Sequence, residues 1–346
     1  MKYSQFAVVL CVVVGVSISS FTNQLGMGRL ARGTELANPA KSPQPNGTSE
    51  ASEQKAKDIQ AIVEMQLGVM RSTNPHVRGQ HAKHHGCVDA EFSILDDLPE
   101  ELRVGLFKTP AQYKAIVRFS NGGSHDDMQP GAHGMAIRLM DVEGKKVLPE
   151  DKSSNHDFVL VDSEVFFADT VAEMKPFTQA HVATASNSNS LKEFAQKSSR
   201  NAKIVDLFHR SSKSNVASPL ATLYWSATSF RFGDRAVKYS VKPAASNSPT
   251  EARLDWEHYL REAMVNHLSR QWKPASFDFY LQVQTDAETD PIDTPSVPWK
   301  SKPVKVAVLT IHPQRFDTPE RRKLCEQTAF SPWIAIEEHA PLGQIN

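Results

Sequence analysis

The sequence predicts an α+β fold with an antiparallel β-sheet or β-barrel at its core. Eight short segments are rich in β-branched and aromatic residues and are separated by Gly, Pro and Asp turns. Helical stretches fall between groups of these segments. Strand and helix do not alternate, and no Gly-rich turn joins a strand to a helix, so a parallel doubly wound sheet is disfavoured.

The predicted elements follow from apolar periodicity and from turn residues. An amphipathic helix begins near Ala51 and stops before Pro75. The predicted strands are Cys87–Leu95, Ala115–Ser120, Gly134–Met140, Phe158–Val161, Tyr224–Phe232, Ala236–Lys242, Phe277–Gln284 and Val304–Ile311. The later predicted helices are Ala168–Phe177, Ser190–His209, Trp256–Ser269 and Pro319–Gln327.

The N-terminal residues 1–20 have the pattern of an export signal peptide. Lys2 precedes the apolar run Phe6–Val16, and small serines follow it. The run is short for a membrane span, which needs about 20 residues. We therefore expect a periplasmic or secreted protein, with an uncleaved membrane anchor as the alternative. Residues 21–52, rich in Asn, Pro, Ser and Gly, are predicted to be a disordered linker, and 53–346 a single domain.

The charge balance argues against a polyanionic partner. The chain has 39 basic and 39 acidic residues, so its formal net charge is zero, and it has no basic stripe of the kind that binds nucleic acid. Cys11 lies in the export signal, which leaves Cys87 and Cys325 in the mature chain. The sequence does not say whether these two cysteines pair.

The densest group of reactive side chains lies between Arg78 and Cys87. It contains His81, His84 and His85. Three histidines and a cysteine could bind a metal ion, but their spacing matches no common zinc pattern. A polar loop with surface histidines is the alternative interpretation.

Two further segments carry charges in unusual positions. Arg118 lies inside a predicted strand, which indicates either a carboxylate or phosphate partner or a surface salt bridge. Asp162 precedes the apolar segment Val165–Phe167.

In this order and spacing, these segments resemble the catalase superfamily, and in particular its small branch of catalase-related haem peroxidases. The resemblance extends from Arg78 to the last residue and rests on the collinearity of its motifs. The matching segments are Arg78–Lys83, Val117–Ser120, Gly134–Arg138, Val165–Phe167, Tyr224–Ser226, Phe232–Gly233, Ala236–Tyr239, Phe279–Val283, Phe330–Trp333 and His339–Gly343.

The resemblance implies a β-barrel of the catalase type, with flanking helices and haem b as cofactor. It makes His81 the distal base, which takes a proton from bound peroxide and returns it to the leaving oxygen. It gives Ser120 the role of hydrogen-bonding His81 and fixing its tautomer.

The same resemblance assigns the residues that would hold the haem. Arg78 and Arg118 match the arginines that pair with the haem propionates, which would explain an arginine inside a strand. Phe167 matches a residue that packs against the porphyrin or lines the distal pocket. Phe177 is a looser match for the same role.

Asp162 departs from the family pattern, which has an asparagine at this position. An asparagine can donate a hydrogen bond to peroxide, whereas an ionised aspartate only accepts one. We therefore expect Asp162 to take the catalytic position beside His81 and to weaken catalase activity.

The second departure concerns the iron ligand, which in this family is a tyrosine phenolate near the C-terminus. The last tyrosine in the sequence is Tyr280, in a predicted strand, and Ala340 replaces an arginine usual in the family. The expected explanation is a truncated chain that lacks the ligand. The alternatives are a substitute ligand among His312, His339 and Cys325, or a catalase-fold protein that has lost its haem.

Two functions follow as expectations. The first is a haem-dependent enzyme that decomposes hydrogen peroxide or an organic hydroperoxide with a small organic reductant, impaired by Asp162 and by the missing tyrosine. The second is a haem-free binding protein of the same fold. The resemblance is also compatible with a homo-oligomer.

Overall fold

The computed structural model describes residues 49–72, 78, 80–122, 125–213, 216–249 and 256–346. The predicted export signal and nearly all of the predicted linker lie outside the described residues. The first described helix begins at Ser49, so the last residues assigned to the linker belong to its first turn. Among the described residues, no helix combines the length and the apolar character that crossing a membrane requires.

Nine strands and six α-helices make up the described part of the chain. The strands are β1 Lys83–Ile94, β2 Gln112–Asn121, β3 His133–Leu139, β4 His156–Val161, β5 Tyr224–Trp225, β6 Phe230–Phe232, β7 Arg235–Pro243, β8 Ala275–Val283 and β9 Val304–Ile311. The α-helices are α1 Ser49–Ser72, α2 Val171–Ala183, α3 Ser190–Gln196, α4 Ser199–Ser211, α5 Tyr259–Val265 and α6 Pro319–Gln327.

The strands form one antiparallel barrel. Their order is β5-β4-β3-β2-β1-β9-β8-β7-β6, and an additional pairing of β5 with β7 closes the sheet. Large aromatic side chains fill the interior, among them Phe92, Phe158 and Phe279, whose rings lie within 6.0 Å of one another. Burial of this aromatic area stabilises the barrel, and the predicted β-barrel is confirmed.

Strand alternation gives the barrel wall two chemically different faces. In β2, Val117 and Phe119 belong to the barrel core, whereas Arg118 and Ser120 lie on the outer face, because successive side chains point to opposite sides of a sheet. The register pairs Ser120 with Gly134 and continues the outer face across β3. The candidate site is built on this outer face.

The helices enclose a second, smaller core against the outside of the barrel. It joins Ile62 of α1, Met174 and Phe177 of α2, and Phe208 of α4. Three helices begin at a hydroxyl N-cap, namely Thr170 for α2, Ser198 for α4 and Thr318 for α6, as the capping preference predicts.

Two predicted elements are each split in the structure. The predicted strand Tyr224–Phe232 becomes β5 and β6, because Ala227 has φ of 58° and turns the chain. The predicted helix Ser190–His209 becomes α3 and α4, because the Ser198 side chain caps the amide of Asn201 and starts a new helix. Local side-chain hydrogen bonds of this kind compete with a continuous helix.

A disulfide joins Cys87 of β1 to Cys325 of α6, with 5.5 Å between the two Cα atoms. It links residues 238 positions apart in the chain. The question that the sequence left open is therefore answered, and α6 is attached covalently to the barrel wall.

Candidate functional site

His81 lies just before β1, where the chain turns onto the outer face of the barrel. Its φ of 45° is in the left-handed region, which is uncommon for a residue with a side chain. The Nη2 of Arg118 donates to the carbonyl oxygen of His81 at 2.8 Å, and the Nδ1 of His81 lies 3.1 Å from Oγ of Ser120. The structure therefore brings together three of the predicted site residues.

Two glycines provide the space for the His81 ring. A Cβ added to Gly134 would lie 2.7 Å from Nδ1 of His81, and one added to Gly122 would lie 3.0 Å from Nε2. The imidazole therefore rests directly on the backbone of the barrel wall, and the positions beneath it require glycine.

We expect Gly134→Ala to displace the His81 ring and to break its contact with Ser120. The added methyl would overlap the ring, and such overpacking typically costs about 1–3 kcal/mol. The free energy of unfolding, measured with urea, should fall by that amount. Gly68→Ala is the matched control, because no atom lies within 4 Å of its added Cβ in α1 and alanine favours a helix. An equal loss in both variants would contradict the assignment.

Burial holds His81 in its neutral form. Desolvation, and after it the charge of Arg118, lowers the pKa of His81 to about 3. A neutral imidazole can accept a proton at the ring nitrogen that does not contact Ser120. This is the protonation state that a base needs at neutral pH.

Arg118 is a buried cation whose hydrogen bonding is incomplete. It is 4% exposed, and its Nε has no hydrogen-bond partner among the described residues. Burial, followed by the charge of Arg78, lowers the pKa of Arg118 to about 9. The nearby carboxylate of Glu326 is the only negative group among the causes of this shift. Two neighbouring guanidinium groups therefore share one carboxylate.

Arg78 is bound to the end of α6. Its Nη2 donates to the carbonyl oxygens of Cys325, Glu326 and Thr328 at 2.6 to 3.0 Å. Its Nε lies 3.6 Å from Oε2 of Glu326. Carbonyl groups at the C-terminus of a helix favour such a cation.

Phe167 and Phe177 pack against each other in the second core. Their ring centroids lie 4.8 Å apart, and each ring also contacts Phe208. Phe177 is fully buried. The two predicted residues therefore lie together, in a cluster closed by α2 and α4.

The carboxylate of Asp162 is engaged with His133. Its Oδ1 accepts from the amide of His133 at 2.9 Å, and its Oδ2 lies 2.8 Å from Nδ1 of His133. Its charge also acts on His81, because it is among the groups that raise the pKa of that histidine against the larger effect of burial. The catalytic role of Asp162 beside His81 therefore stays a prediction.

A buried polar group at one end of the barrel was not predicted from the sequence. Lys83 Nζ lies 2.6 Å from Oδ1 of Asp127, and Oδ2 of Asp127 lies 3.8 Å from Nδ1 of His85. All three residues are buried, so the alternative interpretation of a loop with surface histidines is wrong for His85. Strand pairing could have indicated that polar residues meet at this end of the barrel. Asn121 pairs with Lys83 on one side and with His133 on the other.

No group of three or more potential metal-binding side chains occurs among the described residues. Two of the substitute iron ligands considered above are engaged elsewhere. The Nε2 of His339 accepts from the amide of Leu106 at 3.0 Å, and Cys325 is in the disulfide.

The buried tyrosines described by the structure keep protonated hydroxyl groups. The hydroxyl of Tyr224 donates to Pro219 O and that of Tyr259 donates to Val216 O. Burial raises the pKa of Tyr224, and also that of Tyr239, well above the ordinary value.

Solved structures with the same architecture come from fungi and bacteria. A fungal catalase matches with a TM-score of 0.60 and 17% identity, over 90% of this chain and 63% of that one. The chain has the catalase fold. Catalase A of Saccharomyces cerevisiae matches with a TM-score of 0.54 and 16% identity, over 90% of this chain and 64% of that one. A bacterial catalase matches with a TM-score of 0.54 and 18% identity, over 91% of this chain and 63% of that one.

This catalase-fold chain spans less than two thirds of the length of those three proteins. No family model matches it, and no curated protein sequence matches it. At these identities the likeness concerns the fold, so the chemistry must be argued from the site itself.

Proposed function

We propose that this chain forms the distal side of a haem-dependent site that decomposes hydroperoxides. The observation that carries the proposal is Arg118, a buried cation on the same outer face as the His81–Ser120 pair, whose Nε has no hydrogen-bond partner among the described residues. A buried guanidinium that lacks a full set of acceptors favours a carboxylate ligand. Haem carries two carboxylates as its propionates, and a base next to them suits peroxide chemistry.

The described residues fit one side of the cofactor. Arg118, with Arg78 as its neighbour, would hold the propionates, and the glycine-supported imidazole of His81 would face the substrate. None of the described residues is assigned as a ligand of the iron. The proposal is accordingly limited to the distal half of the site.

Bound haem would supply an iron centre at which a hydroperoxide binds and its O–O bond is cleaved. His81 would accept the hydroperoxide proton at Nε2 and return it to the leaving oxygen. For this, Nδ1 must carry the ring proton and donate it to Oγ of Ser120. The hydrogen bond from Arg118 to the His81 carbonyl would keep the ring in position.

Substrate, reductant and compartment are part of the same proposal. Hydrogen peroxide and organic hydroperoxides are both candidate substrates, with a small organic molecule as reductant, and a homo-oligomer is compatible with the fold. The Cys87–Cys325 disulfide supports an exported protein, because disulfides persist mainly in oxidising compartments.

Haem titration tests the proposal. The full chain should develop a Soret band on haem addition, and Arg118→Met should weaken haem affinity by at least tenfold. The stability of the haem-free protein should change by less than about 1 kcal/mol, because relief of a buried charge offsets one lost hydrogen bond.

Lys242→Met is the matched control, since it removes one exposed positive charge from β7. Its haem affinity should equal that of the unmodified chain. A well-folded protein without a Soret band, or equal affinity in the Arg118 variant, would contradict the proposal.

The second candidate function is a haem-free binding protein with the catalase fold. The contact between Phe167 and Phe177 favours it, because both rings already fill a closed aromatic cluster. The Arg78 guanidinium also has acceptors within the protein. The absence of a Soret band, with normal circular dichroism, would support this candidate.

A further inference from the structure

Helix α6 has almost no apolar face with which to pack. Cys325 is its only buried residue, and Leu324 is 38% exposed. Most helices in proteins are stabilised by an amphipathic face against the core. The position of α6 must therefore depend on other attachments.

Those attachments are one covalent bond and a few polar contacts. The disulfide joins Cys325 to Cys87 in β1. Arg321 pairs with Asp89 of the same strand, at a site exposed to solvent. Exposed ion pairs contribute little, about 0–1 kcal/mol, so the disulfide is the stronger of these two attachments of α6 to β1.

The free carbonyl groups at the C-terminal end of α6 bind Arg78. The Arg78 guanidinium spans the carbonyls of Cys325, Glu326 and Thr328. Glu326 also reaches His84, with 3.1 Å between Oε1 and Nε2. Arg78 precedes His81 by three residues, so the end of α6 restrains both sides of the His81 segment.

The disulfide also lies next to Arg118, which is the other residue that restrains His81. Cys87 is the cross-strand partner of Arg118, and Arg118 donates to the His81 carbonyl. One end of the disulfide is thus in the strand beside Arg118, and the other end is in the helix that binds Arg78.

We propose that the Cys87–Cys325 disulfide is a redox-sensitive strap that positions the His81 segment. While the bond is intact, α6 presents its carbonyls to Arg78 and His81 is held over the glycines. When a dithiol reduces the bond, two thiols form and the dithiol becomes a cyclic disulfide. Helix α6 then detaches, and Arg78 loses its acceptors. The effect on peroxide chemistry rests on the proposed function, whereas the structural effect does not.

Burial of both cysteines does not prevent this exchange. A helix without an apolar face opens locally at low free-energy cost, and local opening exposes the sulfur atoms to a thiolate. In an oxidising compartment the strap would stay closed.

Hydrogen exchange of the full chain, without haem, tests the strap. Reduction with dithiothreitol should speed amide exchange at residues 80–82 at least tenfold and should also speed exchange in α6. Exchange in β3 should not change, which excludes global unfolding. Faster exchange in α6 with no change at 80–82 would overturn the proposal, and so would no change in either segment.

Two variants keep the test decisive if reduction unfolds the protein. In the oxidised chain, Arg78→Ala should speed exchange at 80–82 while α6 stays protected. Arg322→Ala is the matched control, because Arg322 pairs with Asp317 at 2.8 Å and should leave 80–82 unchanged. Equal exchange at 80–82 in the two variants would overturn the proposal. Because none of these measurements involves haem, failure of the strap and failure of the proposed function are separate results.

Discussion

Acidification from about pH 7 to about pH 5 is expected to unfold this protein. Six histidines have a pKa lowered chiefly by burial, so they are neutral in the folded state. The value is about 3 for His81 and His84 and about 4 for His181 and His339. Burial also lowers the pKa of His85 and of His156 well below the ordinary value for histidine.

The sign follows from proton binding. In the unfolded chain a histidine binds a proton as the pH falls through about 6.5, while in the folded chain these six do not. Stability therefore falls with pH from about 6.5 down to each folded-state pKa. Each imidazole contributes about 1.4 kcal/mol per pH unit, and a domain has only about 5–15 kcal/mol of stability in total. Between pH 6.5 and pH 5 the six histidines together cost about 11–13 kcal/mol, which is comparable to that total.

Two buried carboxyl groups act in the opposite direction. Burial raises the pKa of Asp127 and Asp157, so their folded forms bind protons more readily than the unfolded chain does. Their contribution begins only below their raised pKa values. Only two carboxyl groups act in this direction, against six histidines. We therefore expect the net effect of acidification to be a loss of stability.

Urea unfolding at a series of pH values measures this effect. His181→Phe should reduce the slope of stability against pH, because His181 packs against Phe177 and Phe208 and neither ring nitrogen has a hydrogen-bond partner among the described residues. His312→Gln is the matched control, since His312 is exposed, and its slope should not change. A flat profile between pH 7 and 5 would refute the expectation.

The barrel could be predicted from the sequence because strand alternation and turn residues are local signals. The inner and outer faces of β2 follow from the same period of two, which places the side chains of Arg118 and Ser120 on one face. The orientation of Asp162 does not follow in the same way, because a shift of one residue reverses the face on which a side chain lies. Only the register of β3 with β4 reveals that Val161 has the outward position.

The contacts of Arg78 could not have been predicted in the same way. They depend on α6, some 250 residues further along the chain, and α6 has no apolar periodicity that would indicate where it docks. Burial of His85 was likewise hidden, since its neighbour Asp127 lies in a loop. Long-range pairs of this kind become visible only when the fold brings distant segments together.

Arg138→Met is expected to destabilise the protein by about 3–5 kcal/mol, because it leaves a buried carboxylate without its partner. Arg138 and Asp157 form a bidentate pair, with Nε to Oδ1 at 2.7 Å and Nη2 to Oδ2 at 2.6 Å. The Asp157 side chain is fully buried, and its Oδ2 also accepts from the amide of Ser331 at 3.0 Å.

The comparison with Arg118→Met makes this prediction specific. Both arginines lie on the outer face of adjacent strands, but only Arg138 has a carboxylate within hydrogen-bond distance. Urea unfolding at pH 7.5 should therefore give a large loss for Arg138→Met and little change for Arg118→Met. The double variant with Asp157→Leu should recover most of the loss, since it removes the unpaired charge. Similar losses in the two arginine variants would mean that Arg118 is a structural cation, and the carboxylate site proposed for haem would lose its main support.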